Sequence, residues 1–213
     1  LSLMALPGQS NNGNVVFSAN LITRQNQLRQ AAALIAATAP ALRDNIIAKA
    51  DLALEGRLVI SGSNGQPIFV GNPPEWKAIK TGDSHYGSDL NRMWHWLPLL
   101  KAYLLTGDGR FARKVVEELD SWIEACPRPP FPPATDRRFP DYYAVDAEHV
   151  PWHCLNVGIR MFESWRMLAE TLVGTEYLPP ERVVRLSKSM TEQAGPVFTI
   201  SPALFCNADH NHY

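Results

Sequence analysis

Residues 91–126 carry the clearest fold signal in this chain and read NRMWHWLPLLKAYLLTGDGRFARKVVEELDSWIEAC. The first part, residues 91–105, carries apolar side chains on nearly every face, the pattern of a helix packed between other helices. Pro98 is expected to shift the start of this helix or to kink it. Gly107 and Asp108 follow as a C-terminal glycine and an N-capping aspartate. A second helix therefore begins almost at once and runs back antiparallel to the first.

The second helix has one apolar face and one charged face. Its apolar stripe consists of Phe111, Val115, Leu119, Trp122 and Cys126. The charged residues expected to face water are Arg113, Lys114, Glu117, Glu118 and Glu124. This spacing predicts a helical hairpin with one buried and one solvated member. The tryptophans assigned to core packing are Trp94, Trp96, Trp122 and Trp165.

Helical spacing recurs on both sides of this hairpin. Upstream it covers residues 22–52, with a break at Pro40. Downstream, helices are expected over residues 153–173 and 179–194. The chain shows no alternation of strands with helices. Consecutive helical hairpins predict an all-α fold, an incomplete (α/α) toroid of antiparallel hairpins.

Two segments depart from this helical pattern. Residues 57–70 alternate apolar and polar side chains around a Ser-Gly-Ser-Asn-Gly tip, which predicts a small β-hairpin near the N-terminal side. Residues 127–140 contain six prolines. A connection of that length in a compact domain is more often functional or disordered than accidental. Residues 1–20 are polar and are expected to form an N-terminal strap.

Charge and composition exclude several classes of partner. The formal net charge is -1 and the basic residues are spread along the chain, so we expect no nucleic-acid partner. The longest apolar runs are too short for a membrane span. The three cysteines, Cys126, Cys154 and Cys206, indicate neither a disulfide framework nor a paired-cysteine metal motif. An acidic ligand would have to be held by local Arg, His and Asn side chains.

The end of the chain concentrates acid, base and hydrogen-bonding groups. Its polar members are Cys206, Asn207, Asp209, His210, Asn211, His212 and Tyr213. An exposed polar tail is one interpretation. A metal site is another, but the spacing matches neither HExxH nor a paired-cysteine zinc motif. We therefore expect no metal and no cofactor.

Three motifs carry a resemblance to a known family. Residues 91–108, with an Asn-Arg pair, a buried aromatic helix and a closing Thr-Gly-Asp, resemble the first toroid hairpin of heparinase II/III-like polysaccharide lyases. Trp152 and the following residues 155–160 are similar to a second family motif, although Asn156 stands where the family more often has Glu. Asn211-His212 resembles the Asn-His step that enters the active site of these lyases. The resemblance covers the chain from Trp76 to its last residue.

The resemblance implies a reaction and its catalytic residues. Such a lyase removes the C5 proton of a uronic acid and expels the 4-O-linked sugar, which requires stabilisation of the charge that develops on the carboxylate. Asn211 matches the family residue for that task, and His212 or His210 would donate a hydrogen bond or transfer a proton. The family's catalytic Tyr and a further His lie beyond this chain. Residues 21–213 would then be the N-terminal part of the toroid domain, inactive by itself.

A second set of residues is expected to bind the substrate: Arg92, Trp152, Asn156, Arg160 and Tyr213. A tryptophan can stack on a pyranose ring, and an arginine can pair with a carboxylate or sulfate in a forked geometry. Each has a structural alternative, because a helical tryptophan is more often in the core. An arginine near Glu163 is likewise more often part of an internal ion pair.

The expected function is cleavage of a uronate-containing polysaccharide, of the heparin, heparan sulfate or alginate type, by β-elimination. The expected partner is an acidic polysaccharide or oligosaccharide. By resemblance, the protein acts in the periplasm or outside the cell. The alternatives are a glycan-binding helical module without catalysis, and a toroid glycoside hydrolase, for which no flanking pair of acids is recognised.

Overall fold

The computed structural model of the chain describes residues 19–129 and 150–205. Most of the predicted strap at residues 1–20 and of the proline-rich segment at residues 127–140 lies outside these ranges. The described elements are predominantly helical. In chain order, the helices are α1 Ala19–Thr38, α2 Pro40–Leu54, α3 Tyr86–Arg92, α4 Trp96–Thr106, α5 Gly109–Ala125, α6 Cys154–Arg160, α7 Arg166–Leu172 and α8 Pro180–Phe205.

The helix pair α1 and α2 is separated at Ala39. Pro40 occupies the first position of α2, where its missing N–H leaves no helical hydrogen bond unmade. Among the described residues no single helix is long and apolar enough to cross a membrane, and α1 with α2 passes that test only as a pair bent by 115°. The break predicted at Pro40 is confirmed.

Helices α4 and α5 form the predicted hairpin. Gly107 ends α4 in the left-handed conformation, with φ of 72°, and its N–H donates to the Tyr103 carbonyl at 2.8 Å. The Asp108 side chain then accepts from the Arg110 N–H at 2.9 Å and caps α5. The α4–α5 turn therefore has the C-terminal glycine and N-terminal cap that the sequence indicates.

The predicted β-hairpin is present and short. Strand β1, Arg57–Leu58, pairs antiparallel with β2, Ile68–Phe69, with Arg57 opposite Phe69 and Leu58 opposite Ile68. It closes against the helices through Ile60 and Val70, which belong to the buried core.

Three tryptophans form the centre of the core. Trp96 and Trp165 stack with ring centroids 6.2 Å apart, and Trp122 meets Trp165 edge-on at 5.6 Å. All three are fully buried. The packing role predicted for Trp96, Trp122 and Trp165 is confirmed. The predicted contrast between a buried α4 and a solvated α5 is wrong, because α5 also buries much of its surface, including Lys114 and Glu118.

The buried helix expected over residues 91–105 is not continuous. α3 ends at Arg92, and Met93 adopts a left-handed conformation with φ of 58° before α4 begins at Trp96. The start of the apolar helix is shifted, one of the two effects expected of Pro98. The helix expected over residues 153–173 is also interrupted, by the π-helical turn Met161–Trp165 between α6 and α7. A π-helical turn inside a helix often marks a functional site.

Candidate functional site

Two of the predicted substrate-binding residues lie in direct contact. Arg92, the last residue of α3, donates from Nε to Asn156 Oδ1 on α6 at 2.9 Å. Asn156 is itself buried. Two hydrogen bonds fix its side chain: Nδ2 donates to the Val150 carbonyl at 3.0 Å and to Ser88 Oγ at 3.2 Å. The role of Asn156 in this structure is therefore to orient the Arg92 guanidinium.

The Arg92 side chain remains partly exposed, at 15%. Partial burial lowers the pKa of its guanidinium, and Asp89, 3.5 Å from Nη1, works in the opposite direction. Asp89 is fixed in turn by the Ser61 hydroxyl and backbone N–H. An arginine stays charged through such shifts near neutral pH, so Arg92 offers a cation at the surface with its position set from two sides.

Arg160 lies in the core, with no exposed surface. Its Nε donates to Gln193 Oε1 at 2.6 Å, its Nη1 donates to the carbonyls of Asn91 and Pro151, and its guanidinium sits 4.3 Å from the Trp122 ring centroid. Burial lowers the pKa of this guanidinium to about 9. These partners are neutral groups, and within residues 19–129 and 150–205 no acidic side chain forms an ion pair with Arg160. A ligand role for Arg160 stays a prediction.

Trp152 is also enclosed by protein. Its Nε1 donates to the Cys126 carbonyl at 3.1 Å, and its ring lies tilted against Trp122 with centroids 5.8 Å apart. It ends a 3-10 turn, Val150–Trp152, that leads into α6. In this structure the indole packs on Trp122 inside the protein. Sugar stacking on Trp152 stays a prediction.

The predicted catalytic residues Asn211, His212 and His210 lie outside the described residues, as does Tyr213. The same holds for Cys206 and Asp209, which were weighed as metal ligands. Within residues 19–129 and 150–205, no group of three or more His, Cys, Asp or Glu side chains could hold a metal ion.

The packing role predicted for Trp94 is wrong. The sequence places it in the core, but the residue is 40% exposed. Its Nε1 donates to Glu163 Oε2 at 2.7 Å, and the Arg92 guanidinium lies 5.2 Å from its ring centroid. The left-handed Met93 changes the helical phase, so that Met93 and Trp96 enter the core while Trp94 turns outward. No glycine or asparagine at position 93 signals this break in the sequence.

The predicted exposure of two charged residues on α5 is also wrong, because they form a buried cluster. Lys114 and Glu118 were expected to face water, but their side chains are only 5% and 1% exposed. Lys114 Nζ lies 2.9 Å from Glu118 Oε1, and it also contacts Asn72 Oδ1. His95 Nε2 lies 2.8 Å from Glu118 Oε2, to which Trp96 Nε1 donates at 2.7 Å. The two charges are buried because each finds a partner on a neighbouring element.

The neighbours of Glu118 counteract the effect of burial on its pKa. Burial by itself raises the pKa of the Glu118 carboxyl, but His95 and Lys114 outweigh that effect and hold the pKa below its ordinary value. Glu118 is therefore an ionised group in the core. The described residues do not connect this cluster to Arg92, and we interpret it as structural.

The sequence matches the family described as Heparinase II/III N-terminus over residues 15–199. No curated protein sequence matches the chain. The family match spans most of the chain, from before α1 into α8.

Solved structures of lyases share the fold. A mutant of the heparan sulfate lyase HepC from Pedobacter heparinus has a TM-score of 0.60 and 18% identity, covering 85% of this chain and 27% of its own. A crystal structure of heparinase III has a TM-score of 0.57 and 19% identity, with coverages of 96% and 28%. A heparinase III with methylated lysines has a TM-score of 0.60 and 17% identity, with coverages of 79% and 26%.

The chain therefore spans about a quarter of the length of these structures. At this level of identity the likeness concerns the fold. It confirms the predicted all-α architecture of antiparallel helical hairpins belonging to an (α/α) toroid, with one small β-hairpin.

Proposed function

Because the chain belongs to the heparinase II/III family through the N-terminal region of that family, we propose that the protein containing it is a polysaccharide lyase. The match over residues 15–199 carries this proposal. The substrate we propose is an acidic, uronate-containing glycosaminoglycan of the heparan sulfate type, supported by the activity named for HepC. Alginate is the alternative uronate.

The proposed reaction is a β-elimination. A base takes the proton from C5 of the uronate, the C5–H electron pair forms the C4–C5 double bond, and the C4–O bond breaks. The leaving sugar oxygen receives a proton. The intermediate carries extra negative charge on the carboxylate, so the reaction depends on hydrogen-bond donors placed where that charge develops.

The residues proposed for this chemistry come from the Asn-His motif. Asn211 would donate to the uronate carboxylate, and His212 or His210 would donate or move a proton. Tyr213 is proposed to bind substrate. It lies too close to Asn211 in the sequence to match the family's catalytic Tyr, so we do not propose it as the base.

The described residues would contribute binding. Arg92, oriented by Asn156 and Asp89, would offer its remaining N–H donors to a carboxylate or sulfate at the surface. Trp152 and Arg160 are also proposed as substrate-binding residues, and their contacts inside the protein help to position α6 and the turn before it.

The test is the absorbance of the unsaturated uronate product. It is followed with the longest polypeptide that contains this sequence, on heparin, heparan sulfate and alginate, beside Asn211→Ala. We expect absorbance to rise on heparan sulfate and the rate to fall about 100-fold or more in Asn211→Ala, by analogy with loss of an oxyanion-hole donor. A rise on alginate alone would reassign the substrate.

Absence of a rise on every uronate, with the fold verified by circular dichroism, would refute the lyase proposal. The glycan-binding module and the hydrolase would then be the candidates, separated by an assay for reducing ends. We also propose that the protein acts in the periplasm or outside the cell. Fractionation of the producing cells tests that placement, and recovery only in the cytoplasmic fraction would refute it.

A further inference from the structure

Trp94 lies partly exposed at the protein surface. Its ring N–H is used by Glu163, and the Arg92 guanidinium lies against the ring. The side chain nevertheless stays 40% exposed, next to residues that are fully buried. An apolar ring surface is thus held at the protein surface by one cation and one hydrogen bond.

The backbone beneath Trp94 is fixed as well. Met93 is fully buried and accepts from Trp165 Nε1 at its sulfur, at 3.0 Å. The Ser164 hydroxyl, in the π-helical turn, lies 2.9 Å from the Met93 carbonyl and 3.0 Å from the Arg92 carbonyl. A ring fixed in this way loses little conformational freedom when a ligand packs on it.

Other exposed aromatic rings in the described part of the chain are held less tightly. Phe69 is 57% exposed with Lys80 Nζ 5.4 Å from its centroid, and Phe162 is exposed beside Arg166. Both have a neighbouring cation, but a phenyl ring has no N–H to fix its edge. Trp94 combines a cation, an edge hydrogen bond and a fixed backbone.

We propose that Trp94 is a stacking platform for one sugar ring of the acidic polysaccharide, with Arg92 and Glu163 as the residues that position its indole. The inference rests on the proposed function and adds a subsite to it. A pyranose presents a patch of C–H groups that matches an apolar indole surface. The partly exposed Arg92 cation beside this patch suits a ring that carries a carboxylate or sulfate.

Asp89 lies 3.5 Å from Arg92 Nη1 and offsets part of the Arg92 charge. We therefore expect stacking on Trp94 to supply most of the affinity at this subsite. The platform would act on substrate binding, because a sugar ring packed there makes the same contact before and during the chemical step.

The experiment compares Trp94→Ala, Trp94→Phe, Trp94→Gln and Phe69→Ala in the longest polypeptide that contains this sequence. We expect Trp94→Ala to raise the KM for heparan sulfate about 10-fold with little change in kcat. Trp94→Phe should restore part of the loss, because it keeps an apolar ring but loses the hydrogen bond to Glu163. Phe69→Ala removes a comparably exposed ring beside a cation on the β-hairpin and should change neither parameter. Trp94→Gln, which places a polar side chain at the same position, should repeat the Ala result.

Calorimetric titration with a heparan sulfate oligosaccharide separates this inference from the proposed function. If the wild type binds without cleavage, the lyase proposal fails, and a loss of affinity in Trp94→Ala still supports the platform. Unchanged KM and affinity in both Trp94→Ala and Trp94→Gln would overturn it. A wild type that neither binds nor cleaves any acidic glycan overturns both.

Discussion

Glu118 lies within α5 with both carboxylate oxygens engaged, one by Lys114 and the other by His95 and Trp96. Removing the charge from this carboxylate leaves the Lys114 ammonium buried without its counter-ion. An uncompensated buried charge is strongly destabilising. At the residue scale, the fold therefore depends on a charged side chain in its core.

We expect Glu118→Gln to lower the free energy of unfolding by about 3 kcal/mol, because the buried ion pair loses one partner. Urea denaturation followed by circular dichroism measures the change. Glu117→Gln is the matched control, since Glu117 is the exposed neighbour on the same helix. Equal stabilities for the two variants would contradict the structural role of the cluster.

The same cluster predicts a pH dependence. The pKa of the Glu118 carboxyl is lowered in the folded state, so its stabilising effect is complete above the unfolded pKa and is lost as pH falls through the folded pKa. The stability gap between wild type and Glu118→Gln should be largest above about pH 5 and shrink below about pH 4. A gap that widens on acidification would show that the direction of the shift is wrong.

At the scale of elements, the turn between α4 and α5 depends on a left-handed backbone conformation at Gly107. The contribution of that conformation to the free energy of unfolding can be measured. Gly107 adopts φ of 72°, and a Cβ placed there would meet no atom within 4 Å. Substitution by alanine therefore probes the left-handed conformation without a clash.

We expect Gly107→Ala to lower the free energy of unfolding by about 1 kcal/mol. Thermal or urea unfolding measures it. Gly82→Ala is the control, because Gly82 also lies in open space but lacks a positive φ. A loss in Gly82→Ala as large as in Gly107→Ala would mean that the effect does not come from the left-handed turn.

At the scale of the whole molecule, Arg160 contacts elements that are distant in the sequence. From α6 it reaches the Asn91 carbonyl in α3, the Pro151 carbonyl in the 3-10 turn and Gln193 in α8, while packing on Trp122 of α5. A lysine has one ammonium and cannot reproduce these forked contacts.

We expect Arg160→Lys to lower the free energy of unfolding by about 2 kcal/mol, since buried carbonyl acceptors lose their donors. Urea denaturation measures the loss, with Arg166→Lys, a partly exposed arginine in the next helix, as control. Unchanged stability in Arg160→Lys together with weaker polysaccharide binding would instead favour the substrate contact that the sequence predicts for Arg160.

From the sequence alone we predict the helical pattern, the α4–α5 hairpin with its Gly107 and Asp108 signals, the β-hairpin and the family. The structural features among these are local, because each depends on side chains or turn residues within a few positions of one another. The long pattern of residues 153–173 still concealed the π-helical turn, which makes its contacts with Met93 and Arg92 far away in the chain.

The burial of individual polar and aromatic side chains depends on tertiary packing. Lys114 and Glu118 stand at charged helical positions and are nevertheless buried, because His95, Trp96 and Asn72 arrive from other elements. Trp94 belongs to an apolar run and is nevertheless exposed, because Met93 leaves the helical conformation. Burial depends on the partners that packing brings together, and partners distant in sequence leave no mark on the local pattern.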